Sequence, residues 1–79
     1  MAKKSGDFSF KIEEHYEVLS GPNEKGWSRE FNLVSFNDNE AKYDIRDWNE
    51  DHTRMGKGIA LSYDELALLF ESIQENSLC

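Results

Sequence analysis

The stretch KYDIRDWNEDHTRMGKGIAL, residues 42–61, decides the fold. It begins with an alternation of polar and apolar residues that is typical of a β-strand, because successive side chains point to opposite faces of a sheet. One face carries Lys42, Asp44, Arg46 and Trp48, and the other carries Ala41, Tyr43 and Ile45. A polar loop over residues 49–54 follows, and Gly56-Lys57-Gly58 leads into a second apolar run that ends at Leu61. The stretch therefore predicts two strands, over residues 41–48 and 57–61, and places an indole beside a guanidinium on a polar face.

Two more strands are predicted upstream of this pair. Alternation from Phe8 to the turn at residues 20–23 predicts a first strand, in which a break of register near Glu13–Glu14 indicates a β-bulge or a sharp bend. Residues 27–36 alternate again and predict a second strand. Phe31 and Leu33 are the better core candidates of that strand, which places Asn32, Val34 and Phe36 on the other face.

The last element is a helix with a local start signal. Ser62 and Glu65 fit a capping box, in which the side chain of each residue satisfies a backbone N–H near the first turn. An apolar stripe follows at three- and four-residue spacing: Leu66, Leu69, Phe70 and Ile73. The helix is predicted from about residue 63 to 74. The fold class is therefore α+β, with the order β-β-β-β-α, an antiparallel sheet and one helix that covers one face and leaves the other free.

Length and composition limit the function classes. Seventy-nine residues form one domain, predicted over residues 8–76, between a disordered tail (1–7) and a frayed C-terminus (77–79). Cys79 is the single cysteine, which excludes an internal disulfide, and no metal motif or cofactor signature is found. No segment resembles a signal peptide or membrane span, so a cytoplasmic protein is expected. Because so short a chain has a small core, a partner subunit is the expected support.

The distribution of charge leaves two function classes open. The net charge of −7 argues against a broad basic footprint, yet all nine Lys and Arg lie at or before Lys57, and the helical region holds acids alone. No nucleophile–base set is visible, so no catalysis is expected. Aromatic and basic residues together favour a surface for single-stranded nucleic acid. The alternative is a protein-interaction module that docks RNA polymerase or a replication protein.

The candidate DNA-binding surface combines aromatic rings that stack on bases with cations that contact phosphates. Its members are Phe36, Lys42, Arg46, Trp48, Arg54, Lys57, Arg29 and Lys25. Trp27 is a further candidate ring, and whether Trp48 or Trp27 is the main stacking aromatic stays open. Structural roles compete with this interpretation. Trp48 can pack under the 49–54 loop, and Lys42 or Arg46 can pair with Asp44 or with Glu30 on a neighbouring strand.

The motif YDIRDW at residues 43–48, followed by a short polar loop, GKGIALS at 56–62 and an amphipathic helix, resembles a known family. It is similar to the C-terminal domain of the transcriptional coactivator positive cofactor four, and most similar to the compact bacterial YdbC-like proteins. The likeness extends over about residues 8–74 and is strongest over 43–73.

The resemblance implies the same β-β-β-β-α order and a Whirly-like, nucleoid-associated homodimer that binds single-stranded DNA, with RNA or melted duplex DNA as lesser alternatives. It also implies helix contacts between subunits at Leu66, Leu69, Phe70 and Ile73. Arg46 and Lys57 match phosphate-contacting positions of the family motif, whereas Trp48 and Phe36 fall near its stacking aromatics. The basic, serine-rich regulatory region of the eukaryotic proteins is absent. The process served, whether transcription regulation, replication, recombination or repair, stays open.

Overall fold

The structure, a computed structural model, describes residues 8–79 and contains four strands and one helix in the predicted order. Their bounds are β1 Phe10–Ser20, β2 Ser28–Phe36, β3 Lys42–Trp48, β4 Met55–Leu61 and α1 Tyr63–Glu75. The predicted α+β class and the β-β-β-β-α order are confirmed. The predicted disordered tail, residues 1–7, lies outside the described residues.

The strands form one antiparallel sheet in the order β1-β2-β3-β4, so each strand pairs with its neighbour in sequence. Phe31, Ile45 and Ile59 lie side by side across β2, β3 and β4. β4 begins at Met55, two residues earlier than the predicted Lys57, because Trp48 already pairs with Met55. Short loops suffice for all three connections, as expected where consecutive strands are antiparallel neighbours.

β1 departs from a regular ladder in a way that shapes the whole sheet. Its pairing with β2 shifts register at three places, and the first, between Ile12 and Glu14, confirms the predicted bulge. Each bulge bends the strand and increases its twist. As a result the Phe10 ring of β1 reaches the Trp48 ring of β3, with centroids 5.1 Å apart, although β2 lies between them.

Because of this curvature, the core lies on the face of the sheet for which the sequence predicted DNA binding. We call the two sides the inner face, which carries Asn32, Val34 and Trp48, and the helix face, which carries Phe31 and Leu33. Val34 and Trp48 are the buried apolar residues of the described chain, whereas Phe31 and Leu33 are half-buried. The prediction that Phe31 and Leu33 form the core is wrong. The expectation of an open inner face is wrong at Val34, Asp44 and Trp48, which the curled sheet encloses, whereas Phe36 at the end of β2 stays half-exposed.

α1 starts as predicted and runs one residue further. The Ser62 hydroxyl accepts from the Glu65 N–H at 3.2 Å, and the Glu65 carboxylate accepts from the Ser62 N–H at 2.8 Å, so the capping box is confirmed. The helix contacts β3 and β4 but buries none of its own residues. Its apolar stripe is therefore largely open on the helix face.

Candidate nucleic-acid interface

The aromatic residues of the inner face gather at the start of β1 and the end of β2. Phe10 pairs with Phe36 in register, and the Phe8 ring lies 6.1 Å from the Phe36 ring and 6.4 Å from that of Phe10. Phe8 is 60% exposed and Phe36 is half-buried. These two rings therefore offer accessible aromatic surface at one end of the sheet.

Arg46 lies beneath this aromatic surface. Its guanidinium carbon is 4.9 Å from the centroid of the Phe36 ring, which is a cation–π contact. Its Nε and Nη2 each donate to one oxygen of Asp44 at 2.7 Å, a bidentate pair. The Arg46 side chain is only 15% exposed and that of Asp44 is fully buried, so most of the guanidinium charge is neutralised inside the protein. We call Phe8, Phe36 and Arg46 the Phe36 platform.

Trp48 does not occupy the exposed position that its predicted stacking role requires. The indole is fully buried, with the Phe10 ring at 5.1 Å and the His52 ring at 5.6 Å between centroids. No base can stack on a ring without exposed surface, so the expectation of Trp48 as an open stacking residue is corrected. The competing interpretation, packing beneath the 49–54 loop, describes the structure, since His52 belongs to that loop. Among the described residues no group accepts a hydrogen bond from the Trp48 Nε1–H.

The predicted cations are distributed over four places. Lys42 is exposed at the start of β3, where it pairs with Val34 near the Phe36 platform. Lys57 is exposed on β4, where Gly56 and Lys57 together stand opposite Asp47 in a bulge. Arg29 Nε donates to Asp47 Oδ1 at 3.0 Å on the helix face, where this pair lies beside the Phe31–Ile45 pair of β2 and β3. The structure thus brings Phe36, Lys42 and Arg46 together and separates Arg29 and Lys57 from them.

The remaining two cations meet at the opposite end of the sheet. Lys25 and Arg54 line a cleft between the β1–β2 and β3–β4 loops, together with Trp27 and three loop residues: Asn49, Glu50 and Asp51. Hydrogen bonds from the Thr53 hydroxyl and N–H hold the pKa of the Asp51 carboxyl below its ordinary value. Asp51 therefore stays ionised beside these two cations at neutral pH.

A polar network crosses the inner face, and no sequence pattern predicted it. The Glu30 carboxylate lies 2.9 and 3.0 Å from His52 Nε2 and accepts from Asn32 Nδ2 at 3.2 Å. His15 Nδ1 donates to Asn32 Oδ1 at 2.7 Å. His52 is 22 residues from Glu30, so only the fold brings them together. The network anchors the 49–54 loop over Trp48 and satisfies the enclosed side chains of Glu30 and Asn32.

Sequence reasoning also missed Phe8 as part of the Phe36 platform. The available signal was its parity with Phe10 at the start of β1, which predicts a shared face. Across residues 8–79 the structure holds no cluster of His, Cys, Asp and Glu with the geometry of a metal site. In the same range, α1 is neither long nor apolar enough to cross a membrane.

Comparisons with known proteins agree with this architecture. Residues 23–72 match the family of the Transcriptional Coactivator p15 (PC4), whose members bind single-stranded DNA and act as coactivators rather than as enzymes. An uncharacterized protein of Treponema pallidum (strain Nichols) is 36% identical over 72 residues, which cover 91% of this chain and 84% of that protein. The family match covers the last three strands and most of the helix. The chain therefore belongs to the PC4 family of transcriptional coactivators.

Proposed function

We propose that this protein binds single-stranded DNA in a sequence-tolerant way and that the Phe36 platform is its main base-stacking surface. The observation that carries the proposal is the half-exposed Phe36 ring, held on the Arg46 guanidinium 4.9 Å away and flanked by the exposed Phe8 ring. Stacking on an aromatic ring is worth about 1–3 kcal/mol per base and suits every base, because each base has a π-face.

Arg46 acts in this proposal as a positioning residue more than as a phosphate ligand. Its two bonds to Asp44 fix the guanidinium plane, and that plane supports the Phe36 ring from below. Trp48 contributes from beneath by packing against Phe10. Rings and cations fixed before binding lose little entropy when the ligand arrives, which favours affinity.

Phosphates are contacted in this proposal by the exposed cations. Lys42 lies nearest the Phe36 platform along β3, and Lys57 is exposed on the edge strand β4. Within residues 8–79 neither lysine forms an ion pair, so both charges are available. Arg54 and Lys25 extend the contacts toward the far end of the sheet, whereas Arg29 is paired with Asp47 on the helix face and lies off this path. The acidic residues elsewhere on the surface limit binding to this path.

We also propose that the protein works as a homodimer through the helix face. A groove of about 520 Å³ runs between α1 and the sheet, and its lining is almost entirely apolar: Phe31, Tyr63, Leu66, Ala67, Phe70 and Glu71. Leu69 and Phe70 are exposed, whereas Leu66 and Ile73 are half-buried. A second copy that covered these side chains would add the core that a 79-residue chain lacks.

The cellular role follows from the ligand. A protein that holds single-stranded DNA without chemistry serves processes that expose single strands, which are transcription regulation, replication, recombination and repair. We place it with the nucleoid in the cytoplasm for the same reason.

The test is a fluorescence-anisotropy titration of a labelled oligothymidine. Phe36→Ala should weaken binding by about 1–3 kcal/mol, whereas Phe36→Tyr, which keeps the ring, should bind like the unaltered protein. Lys42→Gln should flatten the log–log salt dependence by about 0.7, the contribution of one phosphate. Equal affinity of Phe36→Ala and Phe36→Tyr would refute the platform. Failure of the unaltered protein to bind any oligonucleotide would favour the protein-interaction module instead.

A further inference from the structure

The cleft between the two hairpin loops is a second place where an aromatic ring lies beside cations. It has a volume of about 520 Å³, and we call it the loop cleft. Its lining consists of Lys25, Trp27, Asn49, Glu50, Asp51 and Arg54. Trp27 is half-buried while Trp48 is fully buried, so Trp27 is the tryptophan that a ligand can reach.

An asparagine in each loop fixes the walls of the loop cleft. The Asn23 side-chain oxygen accepts from the N–H groups of Lys25 and Trp27 at 2.9 and 3.0 Å. The Asn49 side-chain oxygen likewise accepts from the Arg54 N–H at 2.9 Å, and the Asn49 N–H donates to the Arg54 carbonyl at 3.1 Å. Both cations and the indole therefore project from loops whose backbone is already held in place, which lowers the entropy lost on binding.

The β1–β2 loop also depends on a glycine. Gly21 has a φ of 102°, and a Cβ there would lie 2.7 Å from the Trp27 carbonyl oxygen. Gly21 therefore allows the two ends of the β1–β2 loop to approach closely. The indole also lies beside Gly56 of β4, since a Cβ built at that position would be 4.0 Å from Cζ3 of Trp27, an ordinary packing distance.

The balance of positive and negative side chains in the loop cleft favours a ligand with one phosphate over a polyphosphate. Within the described residues Lys25 and Arg54 form no ion pair, and Glu50 and Asp51 balance them, so the lining has no net charge. A polyphosphate would meet two carboxylates here. A single nucleotide unit brings one phosphate for the two cations and a base whose ring matches the indole and whose amino or imino groups can donate to Glu50.

We propose that the loop cleft binds one nucleotide unit of the single-stranded DNA, with its base on Trp27 and its phosphate between Lys25 and Arg54. This inference rests on the proposed function, because it assigns a second contact to the same ligand. Nine residues of β2 separate the loop cleft from the Phe36 platform. The curled sheet shortens the path between them, because the Arg46 guanidinium carbon lies 4.9 Å from the Phe36 ring and Arg46 Nη1 lies 3.5 Å from the carbonyl oxygen of Gly56, a neighbour of Trp27.

The experiment compares Trp27→Ala with Trp27→Phe in anisotropy titrations with a 20-nucleotide oligothymidine. Trp27→Ala should weaken binding roughly 5- to 150-fold, whereas Trp27→Phe keeps an aromatic ring and most of the affinity. Arg54→Gln should flatten the log–log salt slope by about 0.7, while Lys11→Gln, on exposed β1, leaves that slope unchanged.

A fluorescence readout separates a contact from a structural effect. In a Trp48→Phe background Trp27 is the single tryptophan, and the oligonucleotide should quench its emission. Normal binding by Trp27→Ala, without quenching of Trp27 in the background variant, would overturn the inference and leave the Phe36 platform intact. Absence of binding by the unaltered protein would overturn both.

Discussion

Replacing Asp44 by Asn should destabilise the fold and at the same time make Arg46 available to DNA. Asp44 is fully buried and accepts both Arg46 bonds at 2.7 Å. Removing one partner of a buried pair costs about 3–5 kcal/mol, because the other charge is left uncompensated. Arg46 keeps 15% exposure, so we expect the lower end of that range, about 3 kcal/mol.

A loss of this size is readily measured in a small domain. At roughly 4–8 °C per kcal/mol, the melting temperature should fall by roughly 12–24 °C. Circular dichroism at one fixed protein concentration is the assay, since a dimer makes the melting temperature depend on concentration. The matched control is Asp47→Asn, because Asp47 flanks Arg46 on the other side and pairs with Arg29, with side chains 41% and 56% exposed. An exposed pair contributes about 0–1 kcal/mol, so this control should melt almost normally.

For the same Asp44→Asn variant we expect a stronger electrostatic attraction to DNA, although the fold is less stable. With Asp44 neutral, the Arg46 charge can attract a phosphate, and the log–log salt slope should steepen by up to about 0.7 at a temperature where the variant is still folded. Equal melting temperatures for Asp44→Asn and Asp47→Asn would refute the reasoning, because the inner face would then not enclose Asp44 as the structure describes.

Three further outcomes are expected. Ser62→Ala should lower the free energy of unfolding by about 1 kcal/mol in urea denaturation, because it removes the acceptor for the Glu65 N–H, whereas an unchanged midpoint would contradict the capping box. Gly58→Ala should cost about 1–3 kcal/mol in the same assay, since its Cβ would overlap the neighbouring strand at Arg46; normal stability would show that β3 and β4 can separate locally. Thr53→Val removes the hydroxyl that lowers the Asp51 pKa, so the variant should be less stable than the unaltered protein above about pH 4 and equal to it in stronger acid. A stability difference that persisted unchanged at pH 2 would contradict this ionisation.

The sign of the last effect follows from the direction of the pKa shift. A carboxyl whose pKa is lower in the folded protein stabilises the fold while it is ionised in both states. That contribution is complete above the ordinary carboxyl pKa and disappears as the pH falls through the folded value.

Local patterns predicted the elements of this fold well, because their causes are local. Period-two alternation located the first three strands, an apolar run after Gly56-Lys57-Gly58 located the fourth, and the Ser62–Glu65 capping box gave the first residue of α1. The bulge near Glu13–Glu14 was visible as a break in alternation. Family resemblance and alternation thus agreed on the order of elements, which needs no long-range information.

Which face is buried could not be predicted, because it depends on contacts across the sheet. Strongly polar residues at Asp44 and Arg46 indicated an exposed face, yet they neutralise each other inside a curled sheet. The curl itself depends on three register shifts in β1, which bring Phe10 onto Trp48. Hydrophobic alternation alone cannot distinguish a polar residue facing water from one that is paired inside.

In the candidate site, too, some contacts follow from local strand pairing and others depend on the tertiary fold. Lys42 pairs with Val34, two residues from Phe36, so strand register brings these two side chains near each other. Arg46 pairs with Glu30, six residues from Phe36, so its contact with the Phe36 ring depends on the curl of the sheet. The pairing of Glu30 with His52 connects β2 to a loop 22 residues away, and no spacing rule anticipates it. The availability of Lys25 and Arg54 near Trp27 likewise depends on two loops meeting at one end of the sheet.

The central claim is a dimer that holds single-stranded DNA, and native mass determination with and without an oligothymidine tests it most directly. We predict a mass of twice the 9.2 kDa chain, increased by bound oligonucleotide when 20-nucleotide oligothymidine is added. A matched 20-base-pair duplex is the control and should add little mass. A 9.2 kDa species whose mass the oligothymidine leaves unchanged would contradict both the dimer and its ligand.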